Sequence, residues 1–308
     1  MSSLKKLLLI VNPMAGKLTA QSALFQITRV FCDAGYLVTT RITSCRGEAT
    51  EFAFSAAVKN EYDIIVCCGG DGTLNETIDG IIKAGGKTVV GYIPAGSTND
   101  FASSLGISTY PAEAAKEIVE CKEPRELDVG LFGGERSFIY VASFGAFTST
   151  SYSVPQNVKN ALGHFAYVLG GIKDAAAIRP YSMKINADGK CFEGKYIFGA
   201  VSNSTSIGGM IKLDRSRLSF DDGKFEVLLI KQPENAVMLS KILYGLAVAD
   251  FSDTEVFEFF KAEKIHFVTD EDISWSLDGE YEDGGKEVEI KNISKVFRLM
   301  HNWEKDAE

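Results

Sequence analysis

Ile64-Ile-Val-Cys-Cys-Gly-Gly-Asp-Gly-Thr-Leu-Asn-Glu76 joins an unbroken apolar run to a glycine turn and then to helix-compatible sequence. A strand without polar alternation is buried on both faces, as in parallel sheets covered by helices. The same unit recurs on either side of this stretch. Residues 7–11 form a first apolar run, and residues 20–34 follow with Leu24, Ile27, Val30 and Phe31 on one side of a helix. Residues 36–42 read as a second strand before a helix over 48–59. The quoted strand (64–68) precedes a helix near 74–84, and residues 88–93 give a fourth strand. Alternation of this kind predicts an α/β domain with a parallel sheet, whose ligands sit outside the carboxyl ends of the strands.

Beyond residue 127 the pattern changes to short strand-like runs bounded by Gly, Asp and Asn: 136–144, 195–202, 225–230, 264–268, 273–277, 288–290 and 296–299. These predict a mostly antiparallel β-sandwich as a second domain. The expected division is 1–126 and 127–308, with a C-terminal tail able to return to the first domain. Two apolar segments, 161–178 and 236–251, read as helices inserted in the second domain, either packed on its core or touching lipid. Neither offers the ~18 uncharged apolar residues of a membrane span.

The 308 residues are 45% hydrophobic and 24% charged, a globular composition, with net charge -9. Residues 231–308 hold 9 Lys/Arg against 18 Asp/Glu, whereas residues 1–230 hold 23 of each. A nucleic-acid partner is therefore not expected, because a polyanion binder needs cations to replace displaced counterions. The six cysteines form no C-x-x-C pair, which suits a reducing cytosol. The N-terminal LLLIV is too short for a secretory segment and reads as a buried strand.

Three of the four N-terminal strands end in loops of one kind: Asn12-Pro-Met-Ala-Gly16-Lys17, Gly69-Gly70-Asp71-Gly72-Thr73 and Pro94-Ala-Gly96-Ser97-Thr-Asn99-Asp100. Each could be a tight strand-to-helix turn with a polar cap. Glycines also let backbone N–H groups approach an anion, and each loop opens a helix whose N-terminus favours negative charge. Three such loops on one sheet edge make a phosphate-binding face. Neither a Walker A motif nor a G-x-G-x-x-G fingerprint is present, which disfavours P-loop and dinucleotide-binding readings.

The candidate carboxylates follow. Asp71, at a loop tip beside phosphates, would need Mg²⁺ or a hydrogen-bond donor to sit there, or else serves as a turn-former. Asp278 and Glu280 flank Gly279 at the end of a strand-like run. With period-2 geometry they would face one side and could share a proton, which suits a general base; an ordinary acidic turn is the alternative. Asp221-Asp222-Gly223 reads as a hairpin turn or as a carboxylate-plus-carbonyl site for Mg²⁺. Asp100 reads locally as a helix cap, and Lys17 as a phosphate contact or a solvated lysine. His164, His266 and His301 lack metal-ligand spacing.

These motifs, with Gly47-Glu-Ala-Thr50, Leu127-Asp128-Val-Gly130 and Ser276-Leu-Asp-Gly-Glu280, occur in the order found in the diacylglycerol kinase catalytic-domain family, and the chain resembles its soluble bacterial lipid kinases over nearly its whole length. The resemblance implies ATP-dependent phosphoryl transfer to a lipid hydroxyl, in a cleft between an α/β nucleotide domain and a β-sandwich lipid domain, with diacylglycerol as the first-choice acceptor. It makes Asp71, Asp278 and Glu280 catalytic, Glu280 matching the proton acceptor. The nucleotide would be held by Asn12, Gly16 and Lys17, by Gly69, Gly70, Asp71, Gly72 and Thr73, by Gly96, Ser97 and Asn99, and by Thr43. A structural Mg²⁺ would take Asp222 with the carbonyls of Ser219 and Lys224, and Asp100 and Asp128 would link it to the cleft. It further implies a cytoplasmic enzyme in peripheral contact with the inner membrane face, with a homodimer among the allowed assemblies. An NAD kinase, which shares the glycine-aspartate-glycine core, and a non-catalytic lipid or nucleotide sensor are the alternatives. Ser143-Phe-Gly-Ala-Phe-Thr148-Ser-Thr-Ser151 departs from the family's Asn/Gly-rich F-D/E-A segment, which bears on the acceptor pocket and leaves the nucleotide loops untouched.

Overall fold

The computed structural model describes residues 4–16, 18–86, 88–145, 179–203, 206–207, 211–212 and 220–302. They fall into two compact units, one running to Asp128 and resuming at Ser294, the other Val129–Ile293. Residues from Ser294 onward thus group with the first unit.

The first unit alternates β1 (Lys5–Val11), α1 (Thr19–Asp33), β2 (Tyr36–Ile42), α2 (Glu48–Lys59), β3 (Ile64–Gly69), α3 (Asp71–Lys83), β4 (Val89–Pro94), α4 (Asp100–Leu105) and α5 (Pro111–Glu120). Its sheet has the order β4-β3-β1-β2, all parallel, and the end of β17 (Glu287–Met300) adds in parallel beside β4 through Arg298↔Val89 to Met300↔Gly91. The apolar runs that predicted buried strands are buried: Leu7 to Val11 and Ile64 to Cys68 are at most 3% exposed. Helix α1 turns Ala20, Ala23, Ile27 and Phe31 inward, at helical spacing. Helices α2 and α3 approach closely because α2 presents Ala49, Ala53 and Ala56 and α3 has Gly80, where a Cβ would lie 2.4 Å from the Thr50 carbonyl oxygen.

The second unit follows β5 (Arg125–Phe132), which leads out of the first. Its strands are β6 (Arg136–Phe138), β7 (Val141–Gly145), β8 (Tyr181–Ala187), β9 (Lys190–Ser202), the short pair β10 (Ser206–Ile207) and β11 (Ile211–Lys212), β12 (Phe225–Lys231), β13 (Phe257–Ala262), β14 (Lys264–Thr269), β15 (Ser274–Leu277), β16 (Glu280–Asp283) and the first half of β17. Pairing is antiparallel throughout, in the order β16-β15-β7-β9-β8-β14-β17, with β12 joining β9 to β13. Strand β9 is its spine: residues 198–202 pair with β7 on one side and β12 on the other and are buried, while residues 190–196, paired with β8, alternate. Trp275 anchors the core, its ring centroid 4.9 Å from Phe144, 5.1 Å from Phe267 and 5.3 Å from Phe132. Such pairs each add about 0.5–1.5 kcal/mol beyond area burial.

The expected fold class, a parallel α/β domain followed by an antiparallel β-sandwich, is the observed one. Individual elements differ. The strand expected over 136–144 breaks at Ile139 and Tyr140, whose N–H groups turn to the Asp278 carboxylate. The runs 288–290 and 296–299 are one strand, β17, with a left-handed residue, Lys295 (φ 56°), inside it. Strands β8 and β13 were not expected. The apolar stretch 236–251 folds as helix α6 (Ala236–Val248), capped by Asn235, whose Oδ1 accepts from the Met238 N–H at 2.9 Å. The other apolar stretch, 161–178, lies outside the described residues. Among the described residues no helix is long and apolar enough to cross a membrane. All six cysteines are free thiols.

Candidate active site

In the first unit, strands β1, β3 and β4 deliver their loops to one edge of the sheet, and the loops interlock. Asn12 ties the first to the second: its Nδ2 donates to Thr73 Oγ1 at 3.0 Å, while its Oδ1 accepts from the Met14 N–H at 3.0 Å. Gly16 (φ +56°) backs onto the third loop, where a Cβ would come within 2.6 Å of the Ala95 carbonyl oxygen. Gly70 and Gly96 bring the second and third loops together; a Cβ on Gly96 would stand 2.6 Å from Gly70 Cα. Asn99, itself left-handed at φ 52°, closes the third loop by accepting from the Gly96 N–H at 2.9 Å and donating to the Gly96 carbonyl at 3.0 Å. Ser97 is exposed at the crest. The N-cap residues of α1 and α3, Leu18 and Gly70, make no side-chain cap, and Asp71 is the acidic residue in the first turn of α3.

The start of α4 is different. Asp71 was read as a loop-tip residue, but it is the first residue of α3 and is only 8% exposed. Its Oδ2 accepts from the Asp100 N–H at 3.0 Å and its Oδ1 from the Phe101 N–H at 3.3 Å. The carboxylate therefore caps α4 from 29 positions away, and two of the donors expected to face an anion already serve Asp71. Asp100 beside it is pushed above the ordinary carboxylate range by burial. Tyr92 of β4, 1% exposed, lies beside the start of α4, with its ring centroid 6.2 Å from that of Phe101.

The remaining candidates of this unit have structural partners. Thr43 is buried, and its hydroxyl turns to the Val11 carbonyl at 3.4 Å. The Gly47–Thr50 motif clasps α2 to α3: Glu76 accepts from the Gly47 N–H through Oε1 at 2.9 Å, and the Thr50 hydroxyl donates to the Glu76 carbonyl at 2.9 Å. Asp128, 1% exposed, accepts from the Lys295 N–H at 2.8 Å, which fixes the left-handed kink in β17. Lys17 lies outside the described residues.

In the second unit Asp278 and Gly279 are both left-handed (φ 49° and 86°) and form a two-residue turn, with Leu277 paired directly to Glu280. This corrects the shared-face expectation. The strand ends at Leu277, so Asp278 sits in the turn, Glu280 opens the returning strand, and the two carboxylates meet different partners. Asp278, 6% exposed, accepts from the N–H groups of Ile139 at 2.6 Å and of Tyr140 and Val141 at 3.0 Å. Glu280, 37% exposed in its side chain, pairs with Arg136 at 2.7 Å. Arg136 also stands 3.7 Å from Glu282, and nothing in its sequence neighbourhood pointed to this role.

Asp222 closes its own turn, accepting from the Lys224 N–H at 3.0 Å, and its second oxygen lies 2.9 Å from Lys261 Nζ. Lys261 is equally close to Glu226, which is 1% exposed and whose carboxyl is pushed up by burial against the opposing pull of Lys261. Among the described residues no group of three His, Cys, Asp or Glu is placed to hold a metal ion. The hard oxygens of Asp222 and of the Lys224 backbone suit magnesium in kind, with Lys261 now neutralising the carboxylate. Ser219 lies outside the described residues.

Comparison with known proteins follows the same division. Residues 6–132 match the diacylglycerol kinase catalytic domain, and residues 142–298 the YegS C-terminal NAD kinase beta sandwich-like domain. A diacylglycerol kinase of Bacillus subtilis (strain 168) is 34% identical over 278 residues, 90% of each chain. One of Staphylococcus aureus (strain JH9) is 30% identical over 282 residues, 92% of this chain and 87% of its own. A crystal structure of a diacylglycerol kinase from Bacillus anthracis str. Sterne shares the fold with a TM-score of 0.75 at 24% identity, covering 98% of both chains. With relatives aligned through both units and across nearly their full length, the chain belongs to the diacylglycerol kinase catalytic-domain family of kinases.

Proposed function

We propose that this protein transfers the γ-phosphoryl group of ATP to a lipid hydroxyl in a magnesium-dependent reaction, converting diacylglycerol to phosphatidic acid. The observation that carries the reading is the interlocking of three glycine loops at the carboxyl edge of the first unit's parallel sheet, with two helix starts whose N-cap residues make no side-chain cap. Backbone N–H groups and helix dipoles on such an edge favour the phosphates of a nucleotide. Asp71 would orient the nucleotide's surroundings while holding α4 in place. In the second unit Glu280 is the proton acceptor of the reading and Asp278 its structural support, since three N–H groups already engage Asp278 whereas Glu280 is half-exposed. A structural Mg²⁺ would be held by Asp222 and the carbonyls of Lys224 and Ser219, and Mg²⁺ carried with the nucleotide would supply charge neutralisation at the phosphates.

The relatives' name supports a lipid acceptor. A lipid that stays in a bilayer requires peripheral contact, here with the cytoplasmic membrane face, and helix α6 supports this by exposing Val237, Tyr244 and Val248. Its one charge, Lys241, is held by Asp253 at 3.2 Å and by Glu255. A homodimer completes the proposal; light scattering at twice the 33.5 kDa chain mass would support it.

The deciding assay gives purified protein ATP and Mg²⁺ with diacylglycerol in mixed micelles, a panel of other long-chain alcohols, or NAD. Phosphate on diacylglycerol is expected. Phosphate on NAD alone would overturn the reading, and ATP binding without turnover of any acceptor would replace it with a sensor.

A further inference from the structure

One contiguous segment of the second unit, from Arg136 to Val141, meets both carboxylates of the Asp278–Glu280 turn. The N–H groups of Ile139, Tyr140 and Val141 donate to Asp278, and the Asp278 N–H returns a bond to the Val141 carbonyl at 2.9 Å. At the other end of the segment, Arg136 donates from Nη2 to Glu280 Oε2 at 2.7 Å. The segment is itself held in place: Arg136 pairs with Phe132 in the β5–β6 ladder, and Phe138 stacks on Phe225 with ring centroids 5.6 Å apart. Asp278 is thus gripped by backbone donors and Glu280 by a long side chain. Strand β16 alternates its faces, so Glu280 and Glu282 share one side while Tyr281 is exposed on the other. The Arg136 guanidinium reaches both of these glutamates. Its Nε is buried, makes no hydrogen bond, and stands 3.7 Å from Glu282 Oε2, just beyond bonding reach. A buried donor left unmade costs free energy, and a small shift of the planar fork toward Glu282 would satisfy it.

We infer that Arg136 is a positioning residue for Glu280 with two seats: it holds the Glu280 carboxylate in one orientation at rest, and closes on Glu282 when Glu280 takes up a proton. The inference rests on the proposed phosphoryl transfer, with Glu280 as proton acceptor. In that reaction the O–H bond of the acceptor hydroxyl breaks and its proton passes to the Glu280 carboxylate. The hydroxyl oxygen bonds to the γ-phosphorus, and the bond from that phosphorus to ADP breaks with its electron pair leaving on ADP. Glu280, now neutral, no longer attracts the guanidinium by charge. Glu282 keeps a negative partner beside Arg136 and offers its Nε the bond that is unmade at rest. The first seat aligns the base, and alignment matters because misplacement by about 1 Å can cost a hundredfold in rate. The second seat lets the aligned base accept its proton without stranding a charge, since a guanidinium stays protonated throughout.

The test compares the full chain with Arg136→Gln, Arg136→Lys, Glu282→Gln and the double variant Arg136→Gln/Glu282→Gln in ATP-dependent transfer to dispersed diacylglycerol. Arg136→Gln is expected to lower kcat about tenfold with KM for ATP unchanged, and Arg136→Lys, which keeps the charge but not the fork, to recover part of the loss. A kcat for Arg136→Gln within about twofold of the parent would overturn the positioning role. Glu282→Gln should lower kcat about threefold in the parent, because the arginine then has no second seat, and this effect should vanish in the Arg136→Gln background. Equal losses from Glu282→Gln in both backgrounds would overturn the second seat. Thermal unfolding at low salt, without substrate, reads the resting contact: Arg136→Gln should shift the melting temperature by different amounts in the parent and in Glu280→Gln, and equal shifts would overturn that contact. A parent that phosphorylates no acceptor would instead overturn the proposed function, an outcome distinct from an active parent matched by Arg136→Gln.

Discussion

Replacing Asp71 by alanine should do two separable things. The carboxylate accepts the Asp100 N–H at 3.0 Å and the Phe101 N–H at 3.3 Å, and it is 8% exposed. Loss of a helix cap typically costs ~1 kcal/mol, and hydrogen bonds to a charged acceptor are worth roughly 1.5–3 kcal/mol. Asp71→Ala should therefore destabilise the protein by about 2–4 kcal/mol and lower the melting temperature by on the order of 10 °C. At a temperature well below both transitions, transfer from ATP should still fall by roughly 10²–10³, because the proposed function assigns Asp71 a role at the phosphates beyond the cap. Asp71→Asn separates the two, since its Oδ1 can still accept one N–H: it should recover part of the lost melting temperature and little of the lost activity. The measurements are circular-dichroism melts and initial rates on all three proteins. An alanine variant that melts with the parent would refute the capping role, and an asparagine variant within about tenfold of parental turnover, ~1.4 kcal/mol, would refute the need for charge.

Asp278→Ala removes the acceptor of three backbone N–H groups and should cost about 3 kcal/mol or more, read as a lowered denaturation midpoint; an unchanged midpoint would mean those donors find water. Gly96→Ala places a Cβ 2.6 Å from Gly70 Cα and 2.8 Å from Asn99 Oδ1, so ATP affinity by calorimetry should drop by about tenfold or more, and parental affinity would disconnect the loop contact from nucleotide binding. Magnesium should raise the melting temperature of the parent and not of Asp222→Ala, because an ion bound only by the folded state stabilises it; equal shifts would remove Asp222 from the metal site. Changing Tyr244 and Val248 to serine should reduce transfer on vesicles more than on detergent-dispersed substrate, since each buried side chain contributes roughly 1.5–3 kcal/mol, and equal losses would take α6 away from the membrane.

The first unit was legible because each of its signals is local. An apolar run such as 64–68 has no exposed face, and the 20–34 spacing repeats every helical turn, so neighbouring residues suffice to define each element. The sandwich was less legible. Strand β13, Phe-Glu-Phe-Phe-Lys-Ala, mixes buried, half-buried and exposed positions because its ladder with β12 decides its faces, and β17 read as two strands because Asn292 to Lys295 interrupts the apolar pattern while the strand continues. At the candidate site the glycine loops were visible and their mutual contacts were not. What Asp71 does depends on N–H groups 29 and 30 positions onward, and what Asp278 does on donors 137 to 139 positions back. The Asp278-Gly279 pair carried a local signal as well: Asp-Gly favours a two-residue hairpin turn, which would have predicted Asp278 in the turn and Glu280 on the returning strand.

Strand β17 also gives the fold a history in time. Strand β4 borders β3 on one side, and its other side is completed through Arg298 to Met300, residues synthesised roughly two hundred positions later. At ~5–20 residues per second, a ribosome leaves that side of the nascent sheet open for on the order of 10–40 s. During that interval Val90 and Tyr92 belong to an edge strand, the kind of surface that recruits foreign strands. The nascent first unit therefore passes through a window of vulnerability whose length is set by how quickly the intervening chain is translated, and slow codons between these strands would lengthen its exposure to chaperones and to aggregation alike.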